Sequence, residues 1–98
     1  MPEPLSQEAV QSALSRLPDW SFAEDKITKT FVLKHFREAV AFIVRIGFEA
    51  EQLNHHPELH NVYRTVTVSL STHDCGNRVT DKDIALAEKI EHIVADKG

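Results

Sequence analysis

The most regular hydrophobic pattern in the chain is the segment VYRTVTVSLS, at positions 62–71. Val66, Val68 and Leu70 lie on one side with Val62 in phase, whereas the alternate positions carry hydroxyl groups. An alternation of period two predicts a strand with one buried and one solvated face. A strand with such a regular pattern is open to unwanted pairing if it lies at a free sheet edge. We therefore expect its edge to be covered, for example by a second copy of the chain.

A weaker alternation lies at 20–33, where the series WSF and ITKTFVL flank a short polar break. This pattern predicts two antiparallel strands joined by a tight turn near Glu24 and Asp25. The turn contains no glycine, although tight hairpin turns favour residues that tolerate positive φ, with glycine foremost. We therefore expect a hairpin whose turn is unusual in composition.

Apolar residues spaced three and four apart predict three helices. The first covers 6–17, with Ser6 as its N-cap and a proline beyond its end. The second extends from Phe36 to Asn54 and must end before Pro57, because the residue that precedes a proline avoids helical geometry. Its apolar residues predict one broad buried face: Ala39, Ile43, Ile46, Ala50 and Leu53, widened by Phe36, Val40 and Val44.

The third helix is predicted to begin at Thr80, whose hydroxyl is a suitable N-cap. Asp83, three residues later, forms a capping-box pattern with Asp in place of the usual Glu. The predicted order of elements is therefore α-β-β-α-β-α. Such an order most simply forms an antiparallel sheet with helices packed on one face, a single α+β domain spanning 1–98. A chain of 98 residues buries about two-thirds of its unfolded surface but cannot form two cores.

Composition and charge narrow the function classes. The chain is 42% hydrophobic and 27% charged, as in ordinary globular proteins, and its formal net charge is −4. This negative charge argues against direct binding of nucleic acid phosphates. No apolar run approaches the ~18 residues of a membrane span and no secretory signal is visible, so we expect a cytoplasmic protein without a membrane segment. The one cysteine, Cys75, excludes an intramolecular disulfide and fits a reducing compartment.

The segment QLNHHPELHNVY, at 52–63, contains three of the chain's six histidines. His55 and His56 lie where the second helix is predicted to end, and His73 follows the predicted strand. Metal binding is one interpretation, but adjacent histidines in a helix point about 100° apart, and structural zinc sites usually include cysteine pairs that this chain lacks. A nucleophilic Cys75 beside His73 is another, although residues two apart on a loop seldom converge.

Proton transfer is a third interpretation. Imidazole exchanges protons near neutral pH, and the loss of a hydroxyl group as water requires an acid for the leaving oxygen and a base for the proton lost elsewhere. Histidines that converge on one pocket, with Glu51 one helical turn before His55, meet that need. A histidine at a helix end is also commonly a capping or surface residue, and the residues alone leave both interpretations open.

Several spaced motifs together resemble the signature of the pterin-4a-carbinolamine dehydratase family. Glu51 precedes the HHP motif at 55–57, Tyr63 and His73 follow it, and an acidic residue lies at Asp83. The stretches LNHHPE, NVY, LSTH and DIALA agree as well, as do the tryptophan-containing hairpin and the FREAVAF helix. HHP alone is a weak signal, whereas both spacings combined with STH are specific.

The resemblance implies an enzyme, a hydro-lyase that converts 4a-hydroxytetrahydropterin to quinonoid dihydropterin and water and so supports pterin cofactor recycling. It implies that His55, His56 and His73 are the catalytic histidines, with His55 and His73 as the proton-transfer pair and His56 chiefly holding the substrate. No metal and no cofactor is implied. Glu51 and Asp83 are expected to orient imidazoles or to bind the amidine edge of the pterin. The full set of implied substrate-binding residues is Glu51, His55, His56, Pro57, Thr72, His73, Asp74, Cys75 and Asp83.

The resemblance also carries one departure and one alternative. Many family members have aromatic residues where this chain has Leu59 and His60, so one wall of the pterin site is expected to differ. The family implies a homodimer or homotetramer, and its members also act as dimerisation partners of a homeodomain transcription factor or, in related proteins, in Rubisco assembly. A non-catalytic interaction protein with a protein partner is therefore the alternative, although the complete set of three histidines favours the enzyme.

Overall fold

A computed structural model describes residues 3–96 of the chain. These residues form α1 (Gln7–Leu14), β1 (Ser21–Ala23), β2 (Lys26–Val32), α2 (Phe36–Leu53), β3 (Glu58–Val62), β4 (Thr65–Leu70), the short 3₁₀-helix η1 (His73–Cys75) and α3 (Asp81–Asp96). Ser6 is the N-cap of α1, as predicted, and its hydroxyl accepts a hydrogen bond from Ala9 N at 3.1 Å. Within residues 3–96, no helix has the length and apolar character needed to cross a membrane.

The four strands form one antiparallel sheet in the order β1-β2-β4-β3. The sheet side chains that reach the core are Ile27, Phe31, Val66, Val68 and Leu70. The other face of the sheet carries hydroxyl groups that pair between strands, Thr28 with Ser69 at 3.1 Å and Thr30 with Thr67 at 3.2 Å. An antiparallel sheet with its apolar face against the helices confirms the predicted α+β class.

The segment predicted as one strand at 62–71 is instead a hairpin, which adds a strand to the predicted order. β3 ends, the chain reverses at Tyr63 (φ 51°), and β4 begins at Thr65. Nδ2 of Asn61 donates to Tyr63 O at 3.1 Å and to Thr65 O at 3.0 Å, which stabilises the turn. β4 is thus an inner strand, and the expected cover of its edges comes from β2 and β3 of the same chain. Within the described residues, β1 and β3 are the edge strands of the sheet.

The predicted β1–β2 hairpin is confirmed. Glu24 and Asp25 have φ values of 52° and 60°, so the turn has the left-handed backbone that matches the twist of tight hairpins even without glycine. Beside the hairpin, Nε1 of Trp20 donates to Glu91 Oε2 at 2.8 Å, and Lys29 Nζ lies 2.7 Å from the same oxygen. These contacts tie the hairpin to α3.

The buried face of α2 is narrower than predicted. Its buried residues are Ala39, Phe42, Ile46 and Ala50. Phe36, Val40 and Val44, which were expected to widen this face, are 49%, 40% and 50% exposed. A helix in a two-layer domain has one side on the core and the other in solvent, so a wide apolar stripe cannot be buried completely by one chain. The expectation of burial for these three residues is therefore wrong.

Candidate active site

The end of α2 fixes the position of the two adjacent histidines. Asn54 has a left-handed backbone (φ 52°, ψ 44°), Asn54 N donates to Glu51 O at 3.1 Å, and His55 N donates to Ala50 O at 2.9 Å. This pair of bonds forms the Schellman motif at a helix C-terminus. Glycine is the preferred residue at its left-handed position, and asparagine is also found there. The ending turns His55 into the protein, with 7% of its surface exposed, whereas the side chain of His56 is 63% exposed.

The start of α3 supplies a carboxylate. Thr80 is the N-cap residue, because its Oγ1 accepts a hydrogen bond from Lys82 N at 3.2 Å, while Oδ2 of Asp83 accepts one from Thr80 N at 2.8 Å. The predicted bond of a capping box from the acidic side chain to the N-cap N–H is present, with Asp in the Glu position, whereas the Thr80 hydroxyl accepts from the N–H of residue 82 instead of that of residue 83. Asp83 is completely buried, which is rare for an acidic side chain and requires that its oxygens be hydrogen-bonded.

The loop after β4 brings a second threonine to this carboxylate. Thr72 N donates to Arg78 O at 2.8 Å, which closes the loop that contains η1. Gly76 lies in this loop with φ 70°, a left-handed conformation that favours glycine. Closure places Thr72 beside Thr80, with their Oγ1 atoms 2.6 Å apart.

These segments meet in a buried hydrogen-bond network around Asp83. Nε2 of His55 lies 2.5 Å from Asp83 Oδ1, and Oγ1 of Thr72 donates to Oδ2 at 2.9 Å. Because Thr72 has one hydroxyl hydrogen and gives it to Asp83, Thr80 must be the donor in the bond between the two threonines. A carboxylate only accepts, so Nε2 of His55 carries the hydrogen that it shares with Asp83.

The other ring nitrogen of His55, Nδ1, is open to the surroundings. Nδ1 has no hydrogen-bond partner within residues 3–96. In that part of the chain every fully buried side-chain nitrogen and oxygen has a partner, so an unpartnered Nδ1 must be accessible. A neutral imidazole with its hydrogen on Nε2 accepts at Nδ1. Asp83 therefore fixes the tautomer in which His55 can take a proton from a bound molecule.

His56 and His73 have more open surroundings. Nε2 of His56 lies 2.9 Å from Glu51 Oε1, and both side chains are exposed. The side chain of His73 is also exposed and makes no hydrogen bond to any residue in the described range. The three imidazoles thus differ: one is buried and oriented, one is paired with a surface carboxylate, and one is exposed without a hydrogen-bond partner among the described residues.

The three histidines line a single cavity of about 290 Å³. Its lining residues are Asn54, His55, His56, Ser71, Thr72, His73, Asp74 and Lys82. Five of the predicted site residues belong to that set. Glu51 and Asp83 are not part of the lining but are hydrogen-bonded to two of the lining histidines. Pro57 and Cys75 adjoin lining residues in the chain and are not part of the lining either.

Three lining residues were not predicted from the sequence: Asn54, Ser71 and Lys82. Each is next in the chain to a residue that was predicted, so adjacency was the available signal. That signal is weak, because neighbours in a strand or a helix point in different directions. Lys82 adds a basic residue to a lining that otherwise consists of histidine, hydroxyl, amide and carboxylate residues.

A second, larger cavity of about 620 Å³ lies between the end of β2, α2 and α3. Its lining is mostly apolar, with Lys34, Glu38 and Arg45 as the charged residues, and it contains no imidazole. The smaller cavity is the candidate site, because three imidazoles converge there and one of them, His55, is oriented by a buried carboxylate. Within residues 3–96, no three His, Cys, Asp or Glu side chains are grouped so that they could hold a metal ion.

The α+β domain thus presents three imidazoles around one cavity, one of them held by a buried carboxylate, which are groups that acid–base chemistry uses. The family model described as pterin 4 alpha carbinolamine dehydratase matches residues 3–93. The chain therefore belongs to the pterin-4a-carbinolamine dehydratase family, and the resemblance noted in the sequence is confirmed.

Individual relatives agree over nearly the whole chain. A protein from Opitutus terrae is 50% identical, covering 95% of this chain and 96% of its own length. Another from Mesorhizobium japonicum is also 50% identical, covering 92% of this chain and 93% of its own. The names of both include the words pterin-4-alpha-carbinolamine dehydratase. Among solved structures, the transcriptional coactivator/pterin dehydratase of Brucella melitensis has a TM-score of 0.87 and 37% identity, covering 92% of this chain and 97% of its own.

Proposed function

We propose that this chain is a hydro-lyase that converts 4a-hydroxytetrahydropterin to quinonoid dihydropterin and water by histidine acid/base catalysis, and thereby supports pterin recycling. Family membership supports the overall reaction. The observation that carries the chemical part is the buried His55–Asp83 pair beside the free imidazole of His73 in one cavity. One oriented base and one free acid are what the removal of water from a carbinolamine requires.

In the proposed reaction, Nδ1 of His55 accepts the proton of a ring N–H next to C4a. The electrons of that N–H bond form a C=N bond with C4a as the C4a–O bond breaks. The leaving oxygen takes a proton from the imidazolium form of His73 and departs as water, which leaves that imidazole neutral. His55 ends as a cation beside the Asp83 carboxylate, which stabilises it, and exchange with solvent returns both imidazoles to their initial states.

Binding is the proposed role of the remaining polar groups. His56, held by Glu51, contacts the substrate rather than transferring its protons. The loop from Thr72 to Cys75 supplies backbone and side-chain groups, including Asp74, to the pterin ring. Pro57 fixes the direction of the chain after His56. No metal and no cofactor takes part in the proposed mechanism.

We also propose that the protein is cytoplasmic and acts as a homodimer or homotetramer. The single thiol of Cys75 fits a reducing compartment. The exposed apolar residues of α2 support self-association, because contiguous apolar surface on a soluble domain usually marks an interface. The net charge of −4 gives no support to direct contact with nucleic acid.

The experiment follows dehydration of enzymatically generated 4a-hydroxytetrahydropterin by ultraviolet absorbance, with EDTA-treated protein. A sample without protein gives the spontaneous rate. We expect the protein to accelerate the reaction and the acceleration to survive the chelator. Folded protein that does not accelerate dehydration would contradict the proposed activity. Activity that EDTA removes and a metal ion restores would contradict the metal-free mechanism.

A non-catalytic interaction protein is the second candidate, and one observation favours it. The exposed apolar stripe of α2 lies outside the histidine cavity, so it can bind a protein partner whether or not the cavity is active. The activity measurement separates the two candidates, since only the enzyme requires turnover. A folded and inactive chain would move the search to partners of α2.

A further inference from the structure

Lys82 lines the histidine cavity, and the proposed reaction gives it no role. The lining contains no other lysine and no arginine. Lys82 is exposed, and within residues 3–96 its ammonium group takes part in no ion pair and in no hydrogen bond. A lysine ammonium is a compact charge on a flexible four-carbon stem, so an unpaired one beside a cavity is available to a bound molecule.

The position of Lys82 in α3 is unfavourable for a lysine. α3 begins at Asp81, so Lys82 lies in the first turn, where the helix dipole is positive and favours acidic residues such as Asp81 and Asp83. The backbone N–H of Lys82 donates to Thr80 Oγ1 at 3.2 Å, a bond that any residue except proline can make. The helix therefore does not account for a lysine at this position, and departures from local preference concentrate at functional sites.

A carboxylate lines the same cavity without neutralising Lys82. Asp74 is exposed, and its carboxylate has no ion-pair or hydrogen-bond partner in the described part of the chain. The two opposite charges thus do not satisfy each other, although they belong to one lining. A ligand that uses both groups offers hydrogen-bond donors to the carboxylate and a negative charge to the ammonium.

A pterin ring offers the donors but not the negative charge. Its amino-pyrimidine edge has adjacent N–H groups, which match a carboxylate, and the proposed function assigns Asp74 to the ring. The reacting atoms, C4a and the neighbouring N5, are assigned to His55 and His73. The substituent at C6 is bonded beside N5, on the opposite side of the ring from the amino-pyrimidine edge. This substituent is the part of the substrate that remains for Lys82.

The size of the cavity agrees with this division. Its volume of about 290 Å³ is at the lower limit for ligand cavities, which is ~300 Å³. A two-ring ligand occupies much of such a cavity, so a substituent on the ring extends toward solvent. Lys82 is an exposed member of the lining, and its flexible stem lets the ammonium follow a charged group there.

We propose that Lys82 is a specificity-determining residue, and that the substrate of this chain is a pterin whose C6 substituent bears an anionic group, either a phosphate ester or a carboxylate. This inference rests on the proposed function, because it leaves the ring to the histidines. Lys82 binds the substituent and transfers no proton. The net charge of −4 does not attract anions to the molecule as a whole, so the preference depends on this local cation.

The first experiment measures Kd by fluorescence titration with oxidised pterins, which are stable and need no turnover. The neutral ligand is 6-hydroxymethylpterin, and the anionic ligands are its phosphate monoester and pterin-6-carboxylate. We expect an anionic ligand to bind about two- to five-fold more tightly than the neutral one, the contribution of one exposed ion pair. The larger gain identifies phosphate or carboxylate as the preferred group. No gain with either anionic ligand, or no binding of any ligand, would overturn the proposal.

Variants assign the preference to one side chain. Lys82→Gln should reduce the ratio of the neutral to the anionic Kd to about one, the value for a lost ion pair, and Lys82→Arg should keep the wild-type ratio. Lys89→Gln is the matched control, since it removes the same charge from an exposed lysine of α3 outside the cavity lining, and it should keep that ratio as well. Circular dichroism checks that each variant is folded.

Three results would overturn the assignment to Lys82. A wild-type ratio in Lys82→Gln would place anion recognition at the imidazoles. An equal fall in Lys89→Gln would make the preference an effect of net charge. Inorganic phosphate that binds as tightly as the monoester would show that the anion is bound without the ring.

The dehydration assay separates this proposal from the proposed function. A chain that accelerates dehydration but shows no anion preference keeps the dehydratase function and loses the role of Lys82. A chain that shows a preference dependent on Lys82 but does not accelerate dehydration loses the dehydratase function, while the specificity of the cavity stands.

Discussion

Replacement of Asp83 by asparagine tests whether the buried carboxylate orients His55. Both threonine contacts of Asp83, from Thr72 Oγ1 at 2.9 Å and Thr80 N at 2.8 Å, end on Oδ2, whereas His55 Nε2 faces Oδ1 at 2.5 Å. Asparagine has nearly the same shape but only one accepting atom. Its oxygen must take the Oδ2 position to keep two bonds, so its NH₂ group faces Nε2 and donates to it. The hydrogen of the imidazole then moves to Nδ1.

The expected loss follows from this change of tautomer. Nδ1 with a hydrogen can no longer accept a proton, and a positioned base typically contributes ~10²–10⁴-fold, so we expect kcat to fall by that factor, or about 3–5 kcal/mol of activation free energy. Stability should fall less. A neutral hydrogen bond in place of a charge-assisted one costs about 1–2 kcal/mol, and each kcal/mol lowers Tm by roughly 4–8 °C in a domain of this size.

The ultraviolet assay at saturating substrate measures kcat, and thermal unfolding followed by circular dichroism measures Tm. Asp81→Asn is the matched control, since it removes the same charge from an exposed side chain two residues earlier in α3. We expect the control to retain wild-type kcat. If folded Asp83→Asn protein had a kcat within about threefold of the wild type, well short of the contribution of a positioned base, His55 would not be the oriented base.

Three further substitutions have separate expected results. His73→Ala should lower kcat by about 10²–10⁴-fold without lowering Tm, because the His73 side chain is exposed and unpaired in the described chain. The control His92→Ala, at another exposed histidine, should change neither quantity. A His73→Ala variant with the kcat of the wild type would refute the acid role. Ile46→Ala, at a fully buried position, should lower the free energy of urea unfolding by about 2–5 kcal/mol, and no loss would contradict the packing. Glu91→Gln removes the charge that faces Lys29 but keeps an acceptor for the indole N–H of Trp20. The free energy of urea unfolding should therefore fall by about 1 kcal/mol. An unchanged unfolding midpoint would show that the Lys29–Glu91 ion pair adds no stability.

Hydrophobic periodicity was sufficient to predict the elements that bury one face, because the pattern follows which side chains are buried. It predicted the three helices, the β1–β2 hairpin and the segment of β4. It could not predict β3, because four of the five residues of that edge strand are exposed. Such a strand does not alternate between buried and exposed positions. Phe36, Val40 and Val44 show a different limit: apolar spacing predicts that a surface will be covered but not that the same chain covers it.

Asp83 shows which parts of the site were predictable. Its capping bond to Thr80 joins residues three apart, and local sequence was enough to predict it. Its bond to His55 joins residues 28 apart and depends on the loop that Thr72 closes. The family pattern marked both residues as important. No spacing rule connects the end of one helix with the start of another, so the contact between the two residues could be found only from the fold.

The different depths of Asp83 and Glu51 expose their two histidine contacts unequally to water. A buried hydrogen bond has no solvent competitor, whereas an exposed one exchanges with water. Asp83 is completely buried and His55 nearly so, whereas the side chains of His56 and Glu51 are both exposed. A cosolvent that competes for hydrogen bonds, such as urea below the unfolding midpoint, should therefore loosen the His56–Glu51 contact while the His55–Asp83 contact persists until the domain itself unfolds.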